Sequence, residues 1–115
     1  MQLSDYQTAA LRTLNQALSA EEQLVDAAAG LAEEAGEVLG VVRKHRFQGR
    51  ALDRAAITEE LGDVLWCLAA LSAGLGLSLD DVARANLEKI RRRHPDGLNA
   101  PPAIGRSGAE DDQLH

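Results

Sequence analysis

The chain has 115 residues, the size of one domain, and its hydrophobic residues include only one Trp, one Tyr and one Phe, so Leu, Ala, Val and Ile must build its core. This composition predicts an all-α protein, because no segment alternates apolar and polar residues over the length of a strand. The net charge of −6 argues against nucleic acid as the main partner, since surfaces that bind nucleic acid are normally basic. The amino terminus lacks a signal-peptide pattern and the longest apolar run, residues 64–71, is too short for a membrane span, so we expect a soluble, cytoplasmic protein with no membrane partner.

Four helices are predicted from their start and stop signals. Each begins after a Ser or Asp that can act as N-cap, and in three of them a polar side chain three residues later can complete a capping box. The third helix stops at residues 74–76, where a glycine can adopt the left-handed conformation that closes a helix. The caps are Ser4 with Gln7, Ser19 with Glu22, Asp53, and Ser78 with Asp81. The predicted helices span residues 5–18, 20–46, 54–73 and 79–94.

The domain is predicted to cover residues 1–97 and to be followed by a flexible C-terminal tail at residues 98–115. All three prolines stand at or after position 95, and this last segment has no apolar periodicity. The helices before it carry Leu and Ala on more than one side, and a domain of this size buries a limited core. We therefore expect a four-helix bundle completed by oligomerisation, as a homodimer or a dimer of dimers.

Two acidic motifs stand on consecutive predicted helices: Glu34-x-x-Glu37 and Glu60-x-x-Asp63. At 100° per residue, Glu60 falls inside the apolar stripe of its helix and Asp63 at the edge of that stripe. An ionised carboxylate in such a position is costly unless its pKa rises or a cation meets it. Two antiparallel helices would bring these carboxylates, and the neighbouring Glu33, to one place.

Carboxylates three residues apart on a helix can reach the same cation, and hard oxygen ligands suit Mg²⁺, with Mn²⁺ as a substitute. The competing interpretation is a di-iron or di-manganese bundle, which requires Glu-x-x-His motifs. That interpretation is disfavoured because none of the three histidines follows a Glu at this spacing.

Four polar residues are candidates for binding phosphates near such a metal. Asn86 interrupts the apolar stripe of the fourth helix, with Lys89 and Arg93 beside it on the helical wheel. Lys44 stands seven residues after Glu37, on nearly the same side of the second helix. An acidic centre with these cations around it suits a metal-bound polyanion.

Four segments carry the pattern of a known family: residues 30–38 (GLAEEAGEV), 59–66 (EELGDVLW), 85–89 (ANLEK) and 93–97 (RHPDG). In this order and spacing they closely resemble the MazG-like nucleotide pyrophosphohydrolases, over the chain from about residue 6 to residue 97. The two acidic motifs together are much more specific than either motif alone.

The resemblance implies an all-α, Mg²⁺-dependent enzyme that hydrolyses nucleoside triphosphates between the α and β phosphates, giving a monophosphate and pyrophosphate, with a role in nucleotide-pool housecleaning. It also implies that Glu33 lies near the attacking water, where it activates the water or binds metal. The other residues that it implies are Glu34, Glu37, Glu60 and Asp63 as metal ligands, and Asn86, Lys89 and Arg93 near the substrate phosphates.

Two alternative functions stay open on the sequence. The first is a non-catalytic helical module that binds a basic partner through the acidic patch. The second is an enzyme like the phosphoribosyl-ATP pyrophosphohydrolases, which share a similar acidic helical layout. The aromatic and thiol side chains are predicted to be structural: Trp66 points away from Glu60, which indicates core or subunit interface, and Cys67 lies on the apolar stripe.

Overall fold

The structure, a computed structural model, describes residues 1–97, and over that range it confirms the predicted all-α class. The predicted tail at residues 98–115 lies outside the described residues. Four α-helices and one 3₁₀ helix follow each other within residues 1–97. They are α1 (Leu3–Ala10), the 3₁₀ helix (Leu11–Thr13), α2 (Ala20–Phe47), α3 (Arg54–Gly74) and α4 (Leu79–Arg93).

Two compact units divide the chain, one formed by Met1–Val82 and the other beginning at Ala83. The first unit contains α1, the 3₁₀ helix, α2, α3 and the first turn of α4. In the second unit, α4 continues with an ion pair between Arg91 and Glu88 at 2.8 Å and ends one residue before His94, ahead of Pro95, as predicted.

Helices α2 and α3 form an antiparallel pair that dominates the first unit. Their antiparallel direction follows from two close approaches: a Cβ placed on Gly30 would lie 3.1 Å from Cys67 Sγ, and one placed on Gly74 would lie 3.1 Å from Leu24 Cδ1. Residues early in α2 thus face residues late in α3. At Gly30 the absence of a side chain lets the two helices approach closely.

The predicted caps of α2, α3 and α4 are confirmed. Ser19 Oγ accepts a hydrogen bond from the Glu22 backbone N–H (3.1 Å), and Glu22 Oε1 accepts one from the Ser19 N–H (2.9 Å), which completes the capping box of α2. Asp53 begins α3 by accepting from the Ala56 N–H (2.9 Å). Ser78 caps α4 in the same way, by accepting from the N–H three residues later. These helices therefore begin where their local sequence indicates.

The prediction for the first helix was wrong at both ends. The helix begins after Gln2, whose backbone N–H donates to Asp5 Oδ2 at 3.1 Å, and not after Ser4. It ends as a 3₁₀ turn in which the Thr13 hydroxyl donates to the Ala10 carbonyl oxygen at 2.7 Å. Leu14 is then extended, with a ψ of 142°, so the chain cannot continue as a helix to residue 18.

Gln7, predicted to complete a cap, is instead a buried link between three segments. Only 7% of its surface is exposed. Its amide N–H₂ donates to the carbonyl oxygens of Ala69 (3.1 Å) and Leu77 (3.2 Å), while its oxygen accepts from the Leu79 N–H (3.0 Å). One side chain thereby joins α1 to α3, to the loop after it and to the start of α4, where it provides a partner for an N–H that the helix start leaves free.

The core of the first unit is small. Ala10, Ala69 and Leu79 are buried, and three partly buried side chains pack against them: Tyr6, Leu65 and Trp66. Many large apolar side chains of α2 and α3 remain exposed within this unit.

No single helix in residues 1–97 has the length and hydropathy to cross a membrane, although α3 and α4 taken together pass the same test of length and composition.

Candidate metal centre and adjoining cavities

Three carboxylates from two helices converge in the first unit. Glu34 comes from α2, and Glu60 and Asp63 come from α3 at a spacing of three residues. One carboxylate oxygen from each lies within 4.8 Å of the others. Glu34 and Glu60 are half-buried and Asp63 is exposed, so the group opens to solvent at one side. We call these residues the carboxylate group.

The carboxylate group contains an excess of negative charge. The pKa of Glu34 is raised to about 7, chiefly by a hydrogen bond with Glu60 and then by partial burial and the charges of Asp63, Glu60 and Glu37. The Glu34 carboxyl is therefore partly protonated near neutral pH, and in its protonated form it donates a hydrogen bond to Glu60. A cation at this position would neutralise the repulsion that the proton now relieves.

The two remaining predicted acids lie beside the group. Glu37 is exposed and is not one of the three residues whose oxygens converge, although its charge acts on Glu34. Glu33 is exposed and lines a cavity together with Glu34 and Asp63. Their roles as fourth ligand and as water-activating acid stay predictions.

A cavity of about 350 Å³ adjoins the carboxylate group, and we call it the acidic cavity. Its volume is within the range of roughly 300–1,000 Å³ that is usual for small-molecule sites. The lining residues come from one side of α2 and one side of α3: Asp26, Ala29, Gly30, Glu33, Glu34, Asp63, Trp66 and Cys67.

Trp66 lines this cavity, a role that the helical-wheel argument missed. On the helical wheel Trp66 points away from Glu60. It stands three residues after Asp63, however, and so lies on the same side of α3 as that carboxylate. Its indole N–H donates to Thr13 Oγ1 at 2.7 Å, which holds the ring. The predicted packing role is also correct, because Trp66 packs against the small core.

The negative charge of this region reaches two other side chains. Burial raises the pKa of the Cys67 thiol, and the charges of Glu34 and Asp63 add to the effect. Burial also raises the pKa of the Tyr6 hydroxyl, with Asp63 as the next cause. Cys67 is buried and free, so the prediction of a structural thiol is confirmed.

Lys44, predicted to bind phosphate, lines a separate cavity of about 240 Å³ between the end of α2 and the start of α3. Arg50, which the sequence analysis did not single out, lines the same cavity, as does Asp53. The loop is fixed by His45 Nδ1, which donates to the Arg50 carbonyl oxygen (2.8 Å), and by Gly49 with a φ of 65°.

The three remaining phosphate candidates, Asn86, Lys89 and Arg93, lie on α4 in the second unit. All three are exposed, including Asn86, which the helical wheel placed in an apolar stripe. Their part in binding substrate stays a prediction.

Half-buried carboxylates on antiparallel helices form a site of the class that binds hard divalent cations. The family model of the MazG nucleotide pyrophosphohydrolase domain matches residues 17–98, which include every acid of this site. The chain belongs to that family. It is also 36% identical over 72 residues to the uncharacterized protein YvdC of Bacillus subtilis (strain 168), an alignment that covers 55% of this chain and 68% of YvdC. No solved structure matches the chain.

Proposed function

We propose that the protein is a Mg²⁺-dependent nucleoside triphosphate pyrophosphohydrolase that converts ribo- or deoxyribonucleoside triphosphates to monophosphates and pyrophosphate, with a role in nucleotide-pool housecleaning. The observation that carries the proposal is the convergence of Glu34, Glu60 and Asp63 within 4.8 Å in a member of this family.

The residues present fit a Mg²⁺ ion by their chemistry. All three converging groups offer carboxylate oxygen, which is the ligand type that Mg²⁺ and Mn²⁺ prefer. The proton that Glu34 keeps at neutral pH also marks a place where positive charge is favourable. Glu34, Glu60 and Asp63 would hold the ion, with Glu37 as the fourth ligand. When bound, the ion supplies charge neutralisation for the phosphates.

The remaining residues act on water and on the phosphates. The water oxygen bonds to one phosphorus of the α–β anhydride as the bond from that phosphorus to the bridging oxygen breaks, which releases pyrophosphate and the monophosphate. The proton of the water passes to the Glu33 carboxylate. The ammonium group of Lys44 binds phosphate oxygens, and Arg50 lines the same cavity as Lys44. Asn86, Lys89 and Arg93 of α4 are the other proposed phosphate ligands.

The proposal is tested by incubating the full chain with a mixture of nucleoside triphosphates and measuring pyrophosphate and monophosphate release with Mg²⁺, with Mn²⁺ and with EDTA. Equal amounts of the two products, formed only with metal, are the expected result. Orthophosphate as the product would contradict it. If no nucleotide turns over and Mg²⁺ does not shift the melting temperature, the interaction module becomes the better description. Selective turnover of phosphoribosyl-ATP would favour the alternative of an enzyme like the phosphoribosyl-ATP pyrophosphohydrolases.

We also propose that the chain associates with a second copy through the exposed side of α2. Six exposed apolar residues there follow the seven-residue repeat of a helix-packing seam: Val25, Ala28, Ala32, Ala35, Leu39 and Val42. The seam lies well away from Glu34 on the helical wheel, so it does not compete with the contact between α2 and α3. Val25 and Leu39 are 64% and 57% exposed in the single chain, and a second copy of the same helix would cover them. A homodimer or a dimer of dimers satisfies this geometry.

A further inference from the structure

We propose that the acidic cavity is the nucleobase site and that it selects bases with exocyclic amino groups, namely cytosine, adenine and guanine, over uracil and thymine. This inference rests on the proposed hydrolase function, whose substrates it narrows.

The position of the cavity is the first argument. Glu34 and Asp63 belong both to the carboxylate group and to the cavity wall, so a ligand in the cavity touches the proposed metal centre directly. Asp26 lines the other end, eight residues before Glu34 on α2. At 1.5 Å per residue this separation is about 12 Å along the helix axis, which is the length scale of a nucleoside. A nucleotide whose phosphates meet the metal can therefore place its base near Asp26.

The apolar part of the wall suits a flat ring. Trp66 and Cys67 contribute apolar surface from α3, and Ala29 and Gly30 leave space on α2. The indole N–H of Trp66 is already bonded to Thr13, so this side chain offers ring surface and no hydrogen-bond donor. Aromatic surface of this kind binds the faces of nucleobases.

The polar part of the wall consists of acceptors. At the end of the cavity away from the proposed metal, Asp26 presents a carboxylate, which in its ionised form only accepts hydrogen bonds. Among the described residues, no Lys, Arg or His lines this cavity. The backbone N–H groups of the lining segments are used inside α2 and α3. A ligand group that lies beside Asp26 must therefore donate hydrogen bonds and cannot be a phosphate, which would meet like charge.

This chemistry separates the bases. Cytosine and adenine carry an amino group where uracil and hypoxanthine carry a carbonyl oxygen, and guanine carries an amino group beside a ring N–H. An amino group donates to Asp26, whereas a carbonyl oxygen at the same position faces a second acceptor. Two facing acceptors, the Asp26 carboxylate and the carbonyl oxygen of the base, cannot hydrogen-bond to each other. Bases with the carbonyl therefore bind less well.

The experiment compares nucleotides that differ in this group and in the protonation of the neighbouring ring nitrogen: dCTP with dUTP, and dATP with dITP. The full chain is assayed with Mg²⁺ for pyrophosphate release. We expect kcat/KM to favour dCTP over dUTP by roughly tenfold or more. Asp26→Asn supplies an amide that both donates and accepts, so the ratio should fall to within about threefold. The matched control is Glu21→Gln, which removes the same charge from an exposed position of α2 outside the cavity and should keep the wild-type ratio.

A binding measurement tests the cavity without turnover. Trp66 is the single tryptophan of the chain, so its fluorescence reports on the cavity wall. Deoxycytidine should quench this fluorescence at lower concentration than deoxyuridine, and Asp26→Asn should remove the difference.

The outcomes separate the two proposals. Similar rates for dCTP and dUTP, or an Asp26→Asn ratio equal to that of wild type, would overturn the base-site inference and leave the hydrolase intact. If no triphosphate is hydrolysed, the proposed function fails, and the fluorescence titration then decides the cavity: preferential quenching by deoxycytidine supports it, and equal or absent quenching overturns it.

Discussion

The Glu34 carboxyl of α2 donates a hydrogen bond to the Glu60 carboxyl of α3, and this bond is the main reason that the pKa of Glu34 rises to about 7. Two ionised carboxylates this close to each other would repel. The proton on Glu34 removes this repulsion and lets α2 and α3 approach at this point. A divalent cation can replace the proton and attract both groups. The same contact is therefore a point of strain without metal and a ligand pair with metal.

Glu60→Gln should move activity and stability in opposite directions. The amide keeps the shape of the side chain but loses a ligand charge, so pyrophosphate release should fall by about a hundredfold or more. The metal-free variant should melt no lower than wild type, because the repulsion within the carboxylate group is relieved. Melting with EDTA and with Mg²⁺, beside the activity assay, measures both effects.

The control for this prediction is Glu59→Gln, an exposed neighbour on the same helix that does not belong to the carboxylate group. It should keep the activity of wild type and its stabilisation by Mg²⁺. A Glu60→Gln variant with wild-type turnover would show that Glu60 is not a ligand of the metal.

The stability of the metal-free protein should decrease as the pH rises from about 4.5 to about 7. The ordinary pKa of Glu34 is 4.5 and its folded-state pKa is about 7, so between these values the folded protein binds more protons than the unfolded chain. This contribution is fully present below pH 4.5 and is lost as the pH passes 7. Urea unfolding in EDTA across this range measures the slope, and Glu34→Gln should reduce it. Glu21→Gln, at an exposed position of the same helix, should leave the slope unchanged.

Leu39→Glu should dissociate the oligomer into monomers at micromolar concentration. Leu39 lies at the middle of the exposed seam of α2, where a second copy would bury it, and a buried charge without a partner opposes association. Light scattering gives the mass. Leu87→Glu is the matched control, because Leu87 is also exposed, at 46%, but lies on α4 outside the seam. A wild-type protein that is monomeric at this concentration would contradict the seam.

Gln7→Ala should destabilise the protein more than the same substitution at an exposed glutamine. The change removes the partner of the buried Leu79 N–H and the side-chain hydrogen bonds to the Ala69 and Leu77 carbonyl oxygens. Each unsatisfied buried group costs about 1–3 kcal/mol, so the melting temperature should fall by roughly 10 °C or more. Gln16→Ala, at an exposed position in the segment after α1, serves as the control and should change it little. Equal melting of the two variants would show that the Gln7 link contributes nothing.

Local signals in the sequence determined the starts of α2, α3 and α4, and the two acidic motifs predicted the three converging acids together with Glu37, whose oxygens are not among those that converge. Ser19 and Asp53 bond to backbone groups within three residues, so no distant part of the chain is needed to place them. The spacing of Glu60 and Asp63 fixes them on one side of α3 for the same reason. The antiparallel packing of two consecutive helices then brings Glu34 to them.

Tertiary structure decided what depends on partners far away in the chain. The role of Gln7 follows from hydrogen bonds to residues more than sixty positions later, so its side chain does not serve the cap that was predicted at Ser4. A helical wheel gives the direction of Trp66 around its own axis but not the neighbour that it meets. The acidic cavity depends on the packing of α2 against α3, in which Gly30 lies close to Cys67 and Trp66 and Asp26 line the same space.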